Sequence, residues 1–194
     1  DRVQEQCYPT VHKANAFIGN ILRMAYLSEN LSSGIGLLVV LAAELAAKGE
    51  SAETIFKHIE ESKKRVDASF ILNQLEFLHK GGRCSGVAAL GANLLKLKPC
   101  IEVHEGKMKV GKKYRGAYAK CMKEYITDQL KDRTDLDLRY IFVTHSGISE
   151  ELVKMAVETV RELQPFKEIC VTQAGCTVSS HCGPDTIGVL YIQK

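Results

Sequence analysis

The spacing of apolar positions changes several times along the chain, and each change marks an element. Residues 35–48 are apolar almost all round, with Glu44 the one interior charge. They predict a helix that needs cover on most sides. Ser32 suits its N-cap and Gly49 the position after its end. Ser51 opens a second helix, acidic at its start and basic at its end near Arg65, as the helix dipole favours. Residues 66–72 read as a strand, and 73–79 as a short helix opened by Asn73. The small-residue stretch 83–95 reads as a helix that lets a neighbour approach closely. Strands 98–104 and 107–113 flank the two-residue turn Glu105-Gly106 as a hairpin. A helix over 116–131 places Tyr118, Met122, Tyr125 and Ile126 on one side. Strand 138–144 follows, and Ser149 then caps a helix that ends before Pro165. Strands 168–172 and 186–192 bracket a loop of small hydroxyl residues. Residues 1–30 are the least legible, with rough helical spacing at Ala14, Phe17, Ile18, Ile21 and Leu22.

From residue 66 onward strands and helices alternate, with one hairpin inserted. This predicts an α/β fold: a mixed sheet with flanking helices and an inserted β-hairpin, preceded by an N-terminal helical segment. The boundary falls near residue 66, giving segments 1–66 and 67–194.

Composition narrows the function classes. A net charge of +3 with no arginine-rich or aromatic-basic stripe gives no argument for nucleic acid. No apolar run is long enough to span a membrane, and no signal peptide opens the sequence. Seven cysteines without CxxC spacing point to a cytoplasmic protein rather than a disulfide framework. Cys84, Cys100, Cys121 and Cys170 sit in apolar surroundings and read as small core residues.

The candidate chemistry gathers at the loop between the last two strands. Ser179, Ser180 and His181 put polar groups at a strand end, where α/β proteins usually hold ligands. Gly183-Pro184 then turns the chain. The plain alternative is a turn histidine and serines bonded to local backbone. Other constellations are weaker. Cys176, His181 and Cys182 lack a fourth zinc ligand. Cys182 beside His181 has the residue types of a nucleophile and base, but neighbours on a strand face opposite ways. His145-Ser146 has no acid placed to orient it, and Gly34-x-Gly36 is too short a signal for phosphate. Lysines 107, 109, 112 and 113 with Arg115 make a basic hairpin, either a solvated edge or a docking patch for an acidic partner.

Five motifs occur in order: Ser28-Glu-Asn-Leu-Ser-Ser-Gly-Ile-Gly-Leu-Leu-Val, Leu75-Glu-Phe-Leu-His-Lys-Gly-Gly-Arg, the stretch from Lys98-Pro to Glu105-Gly-Lys-Met, Lys113-Tyr-Arg-Gly and Ser180-His-Cys-Gly-Pro. Together, over residues 28–194, they resemble the DegV family of bacterial fatty-acid-binding proteins. The resemblance implies two α/β domains with a long-chain fatty acid between them, and a carrier rather than an enzyme. Such a carrier presents the fatty acid's carboxyl group to a fatty acid kinase, with no cofactor or metal of its own. It implies that His181 lies close to that carboxyl, with Ser179 and Ser180 as further donors, and that Arg83 and Arg115 meet the kinase. Burying roughly 14 methylenes contributes about 11 kcal/mol before losses. The N-terminal sheet domain with its Thr-Ser and Ser-Ser-Gly loops is not found in residues 1–27, so the chain resembles a truncated member. Asp185 stands where the family has glycine after Gly-Pro. A related architecture occurs in dihydroxyacetone kinases, where a histidine holds substrate covalently, so a small-molecule kinase subunit is the alternative. A truncated member that binds no ligand is another. Finally, the apolar helix 35–48, left without the missing sheet, predicts a homo-oligomer.

Overall fold

The computed structural model describes residues 28–82 and 97–194. Helix α1 (Ser33–Ala47) and helix α2 (Ala52–Ser62) come first, and a short 3₁₀ turn follows them. Then come β1 (Val66–Ile71), α3 (Glu76–Lys80), β2 (Leu97–His104) and β3 (Lys107–Arg115). The chain continues through α4 (Tyr118–Leu130), β4 (Leu136–Ser146), α5 (Glu150–Leu163), β5 (Glu168–Gln173), α6 (Cys176–Cys182) and β6 (Thr186–Gln193). The six strands form one sheet in the order β3-β2-β1-β6-β4-β5. Only β4 and β5 run parallel, joined through α5, so the sheet is mixed as the sequence predicts.

The hairpin turns where expected. Glu105 and Gly106 both take positive φ, 50° and 72°, the conformation a two-residue turn between twisted strands requires. Ser51 and Ser149 each accept the backbone N–H of the third residue of the helix they open, Thr54 and Leu152. Ser32 does sit at the start of α1, but its side chain makes no cap bond and its φ is 49°. The short helix expected from Asn73 begins at Glu76 instead. Asn73 is occupied elsewhere, donating through its side-chain amide to Asp185 Oδ2 at 3.2 Å. The helix expected over 83–95 and the N-terminal pattern lie outside the described residues.

Helices α4 and α5 cover one face of the sheet. Met122, Tyr125 and Ile126 pack there against Ile141, Val143, Val189 and Tyr191, all fully buried. Tyr125 brings a polar tip into this core and satisfies it twice: its hydroxyl shares a 2.8 Å bond with Ser69 and accepts the Val189 N–H at 3.1 Å. The other face carries α1 and α2 toward one end and the short helices α3 and α6 toward the other.

Helix α1 does not lie bare. Leu37, Leu38, Val40 and Ala42 are buried against Ala68, Phe142, Leu190 and Ile192 of the sheet and Ile55 and Ile59 of α2. Its interior charge serves as an anchor: Glu44 accepts from Arg139 and from the Tyr140 hydroxyl, the latter at 2.7 Å. Among the described residues Phe56 is the one large hydrophobic side chain left exposed, and Ile35, Val39, Leu41 and Leu45 of α1 are partly exposed, so the sheet and α2 supply much of the cover that the sequence left open. Cys100 and Cys121 are core residues as predicted, and Cys84 lies outside the described residues; Cys170 is buried too but is disulfide-bonded, which corrects its reading as a plain core residue.

Candidate functional site: a carbon-walled slot beside two short helices

The stretch 171–188 is not simply a loop. Residues Cys176–Cys182 form α6, which begins at Gly175 and stops at Gly183 with φ 76°. Thr, Val, Ser and His are indifferent helix formers, and local preference alone hides this element. Burial stabilises it: Cys182 joins Phe70, Leu72, Leu78 and Ile101 in a cluster against which Val178 also packs.

Helices α3 and α6 interlock through two glycines. A Cβ at Gly81 would fall well inside 3.0 Å of the His181 imidazole, and one at Gly183 equally close to the Phe77 ring. Each helix therefore receives a ring of the other against bare backbone.

Beneath them is a half-open slot of about 30 Å³, room for roughly one water-sized group and well below the ~300–1,000 Å³ of small-molecule sites. Its walls come from Leu31 and Ser32 before α1, residues 68–70 of β1, the ends of β4 and β6, and Val178 and Cys182 one helical turn apart on α6. Several lining residues carry hydroxyls, yet most of these bond elsewhere. Thr144 donates to Ser33 at 2.7 Å and also shares a bond with Thr172. Ser146 donates to the Gly183 carbonyl, Thr186 to the Cys182 carbonyl at 3.0 Å, and Ser69 is paired with Tyr125. Small residues complete the floor. At Gly188 an added Cβ would meet the Ser69 carbonyl oxygen, so the strands leave no space for a side chain there. What faces the slot is mostly carbon.

The sequence-predicted residues distribute unevenly around this slot. His181 is half-buried on α6, next to the slot-lining Cys182, with its ring on Gly81. It is not itself a wall of the slot. Neither serine offers a donor. Ser179 donates to the Ala174 carbonyl at 3.1 Å, and exposed Ser180 to the Thr177 carbonyl at 2.9 Å. Arg115 is exposed at the end of β3, on the sheet edge shared by Ile71, Leu97, Ser146 and Thr186. Arg83 lies outside the described residues. Asp185 takes φ 53°, which explains why glycine suits the position, and its carboxylate is engaged by Asn73.

The rival constellations fade. Among the described residues no group of His, Cys, Asp and Glu is placed to hold a metal ion. His181 and Cys182 are neighbours on a helix rather than a strand, and burial pushes the Cys182 thiol up to about 11, away from a reactive thiolate. Burial lowers the pKa of His145, whose Nδ1 is buried without a partner. Sequence reasoning missed the slot-lining positions Ser32, Ser146 and Val178. The pairing of Ser146 with Thr186 across β4 and β6 brings them together, and no local pattern encodes it.

The sequence profile of the DegV family matches residues 24–194, most of the chain. The chain belongs to the DegV family. It is 31% identical over 169 residues to a DegV domain-containing protein of Caldanaerobacter subterraneus subsp. tengcongensis, covering 86% of this chain and 59% of that one. It is 29% identical to protein DegV of Bacillus subtilis, covering 93% of this chain and 64% of that protein. Among solved structures, a fatty-acid-binding DegV family protein from Thermus thermophilus superposes with a TM-score of 0.73 at 26% identity, covering 86% of this chain and 59% of the other. The Streptococcus pneumoniae fatty acid kinase B3 protein, loaded with linoleic acid, shares the fold with a TM-score of 0.74 at 19% identity, covering 86% and 58%. The chain thus spans about three-fifths of the length of these DegV proteins. Among the described residues, no helix is long and apolar enough to cross a membrane.

Proposed function

We propose that this DegV chain holds part of the hydrocarbon of a long-chain fatty acid against the carbon-lined slot beside α6, the rest of the chain lying outside it, and presents the carboxyl group to a fatty acid kinase. The observation that carries the reading is the carbon wall. A binding site for a polar metabolite aims its donors and acceptors inward. Here the hydroxyls of Ser69, Thr144, Ser146 and Thr186 are each bonded to another group of the protein, and Leu31, Phe70, Val178 and Leu190 are among the apolar lining residues. Such a lining contributes through apolar burial, about 0.8 kcal/mol per methylene.

The carboxyl group belongs at the α6 end, near His181, whose imidazole can donate one hydrogen bond without leaving its seat on Gly81. Ser179 and Ser180 support this end by tying α6 to its own backbone rather than by touching the ligand. Arg115, exposed on the same edge of the sheet, suits contact with acidic groups of a kinase, and so by resemblance does Arg83. The role is that of a carrier.

The test is extraction of purified protein with organic solvent, followed by mass spectrometry. A long-chain fatty acid should be present at near-stoichiometric amount. His181→Ala should reduce retention, and Arg115→Ala should preserve it while slowing phosphorylation by a fatty acid kinase. Absence of fatty acid in the extract, with no uptake on incubation, counts against the reading. Lipid loss in the arginine variant counts against the division of roles.

A further inference from the structure

We infer that Asp185 is a positioning residue: its bond to Asn73 fixes the register of α6 on α3, and with it the seat of the His181 imidazole. Its bearing on a ligand rests on the fatty-acid reading above, which places the carboxyl group near His181. The contacts between the two short helices and their flanks run antiparallel. Asn73 meets Asp185, Phe77 meets Gly183, and Gly81 meets His181. The last two are rings packed on bare backbone, and such dispersion contacts have no strong direction. The bond from the Asn73 amide to Asp185 Oδ2, at 3.2 Å, is directional. Both of its ends are anchored. Lys98 donates to the Asn73 carbonyl at 2.8 Å, while Ser146 donates to the Gly183 carbonyl and Thr186 to the Cys182 carbonyl. His181 depends on the register because, among the described residues, its imidazole takes no hydrogen bond and rests on Gly81. The backbone at Asp185 adds an independent observation. Its φ of 53° costs an aspartate more than a glycine, and the bond to Asn73 is what the side chain gains there.

The experiment records the NMR resonances of the His181 ring and the affinity for hexadecanoic acid in the delipidated full chain, for Asp185→Gly, Asp185→Asn and Asn73→Ala. Asp185→Gly removes the bond and relaxes the backbone, so the unfolding midpoint should stay near that of the wild type. The ring resonances should shift, and the Kd should rise about three- to tenfold. Asp185→Asn keeps an oxygen acceptor and should return the ring resonances to their wild-type positions, with a Kd within about twofold of the wild type. Asn73→Ala should reproduce the glycine variant. In a His181→Ala background, Asp185→Gly should change the Kd by less than about twofold, because the two act through one group. Unchanged ring resonances and affinity in Asp185→Gly overturn the inference and leave the lipid reading standing. An Asp185→Asn variant that behaves like the glycine variant overturns it as well. So does unfolding of Asp185→Gly or Asn73→Ala, since the bond would then support the fold rather than seat one ring. If the wild type binds no hexadecanoic acid, the lipid reading falls, and the ring resonances alone decide the role of Asp185.

Discussion

The two faces of the sheet are covered in different ways. Under α4 and α5 the cover is a single apolar cluster, closed around Tyr125 and Tyr191. The buried tyrosine hydroxyls there are all satisfied: Tyr191, for instance, donates to Asp67 at 3.0 Å. On the opposite face the core splits into two clusters, one under α1 and α2 and one under α3 and α6. Polar ties help hold this face to the sheet, through Ser33 with Thr144 and Thr172 and through Glu44 with Arg139 and Tyr140. The slot lies on this divided face. Two helices seal the first face, whereas on the second the short helices α3 and α6 beside α1 leave space next to the sheet.

Three perturbations, from largest effect to smallest, probe that contrast. Ile141→Ala removes a fully buried side chain from the sealed face, where the neighbours have little freedom to collapse. It should cost about 2–5 kcal/mol in denaturant unfolding. A loss under 1 kcal/mol would mean that the α4–α5 face is as loosely packed as the other. Tyr125→Phe keeps the ring but strands Ser69 and the Val189 N–H in a dry core. The expected loss is about 1–3 kcal/mol, and an unchanged unfolding midpoint would show water reaching the site.

The smallest effect concerns acid. Burial raises the Asp137 pKa, but the hydrogen bonds and charge of Arg139 outweigh it and hold the carboxyl below its usual range. A depressed carboxyl stabilises the fold above its unfolded pKa, about 3.9, and that contribution fades as pH falls through the folded value. Arg139, with 39% of its side chain exposed, is partly in water, so the contribution is about 1 kcal/mol or less. Because the same arginine holds Glu44, hydrogen exchange on acidification should rise in α1 before α4. Equal rises in both helices would separate the charge ties from the contrast between faces.

Most of the architecture was readable from the chain because most of its signals are local. The continuous apolar run of β6, the Glu105-Gly106 turn and the caps at Ser51 and Ser149 each specify geometry from a few adjacent residues. Two elements were misread for the same reason. Helix α6 forms from weak helix formers because Val178 and Cys182 gain burial, and α3 starts late because Asn73 is held by Asp185, far away in sequence. The cover over α1 was also long-range, supplied by β1, β4 and β6. Around the slot, the position of His181 was legible, but the state of each hydroxyl was not. Whether a serine is a donor or a knot in the backbone depends on its acceptor, and the acceptors of Ser146 and Thr186 exist only once the strand ends meet α6.

The reciprocal seating of His181 over Gly81 and Phe77 over Gly183 has a mechanical result. Two pegs in two sockets, pointing in opposite directions, prevent α3 and α6 from sliding past each other. Anything that lifts the imidazole must disturb α3 with it, so the two short helices are tied into a single plate.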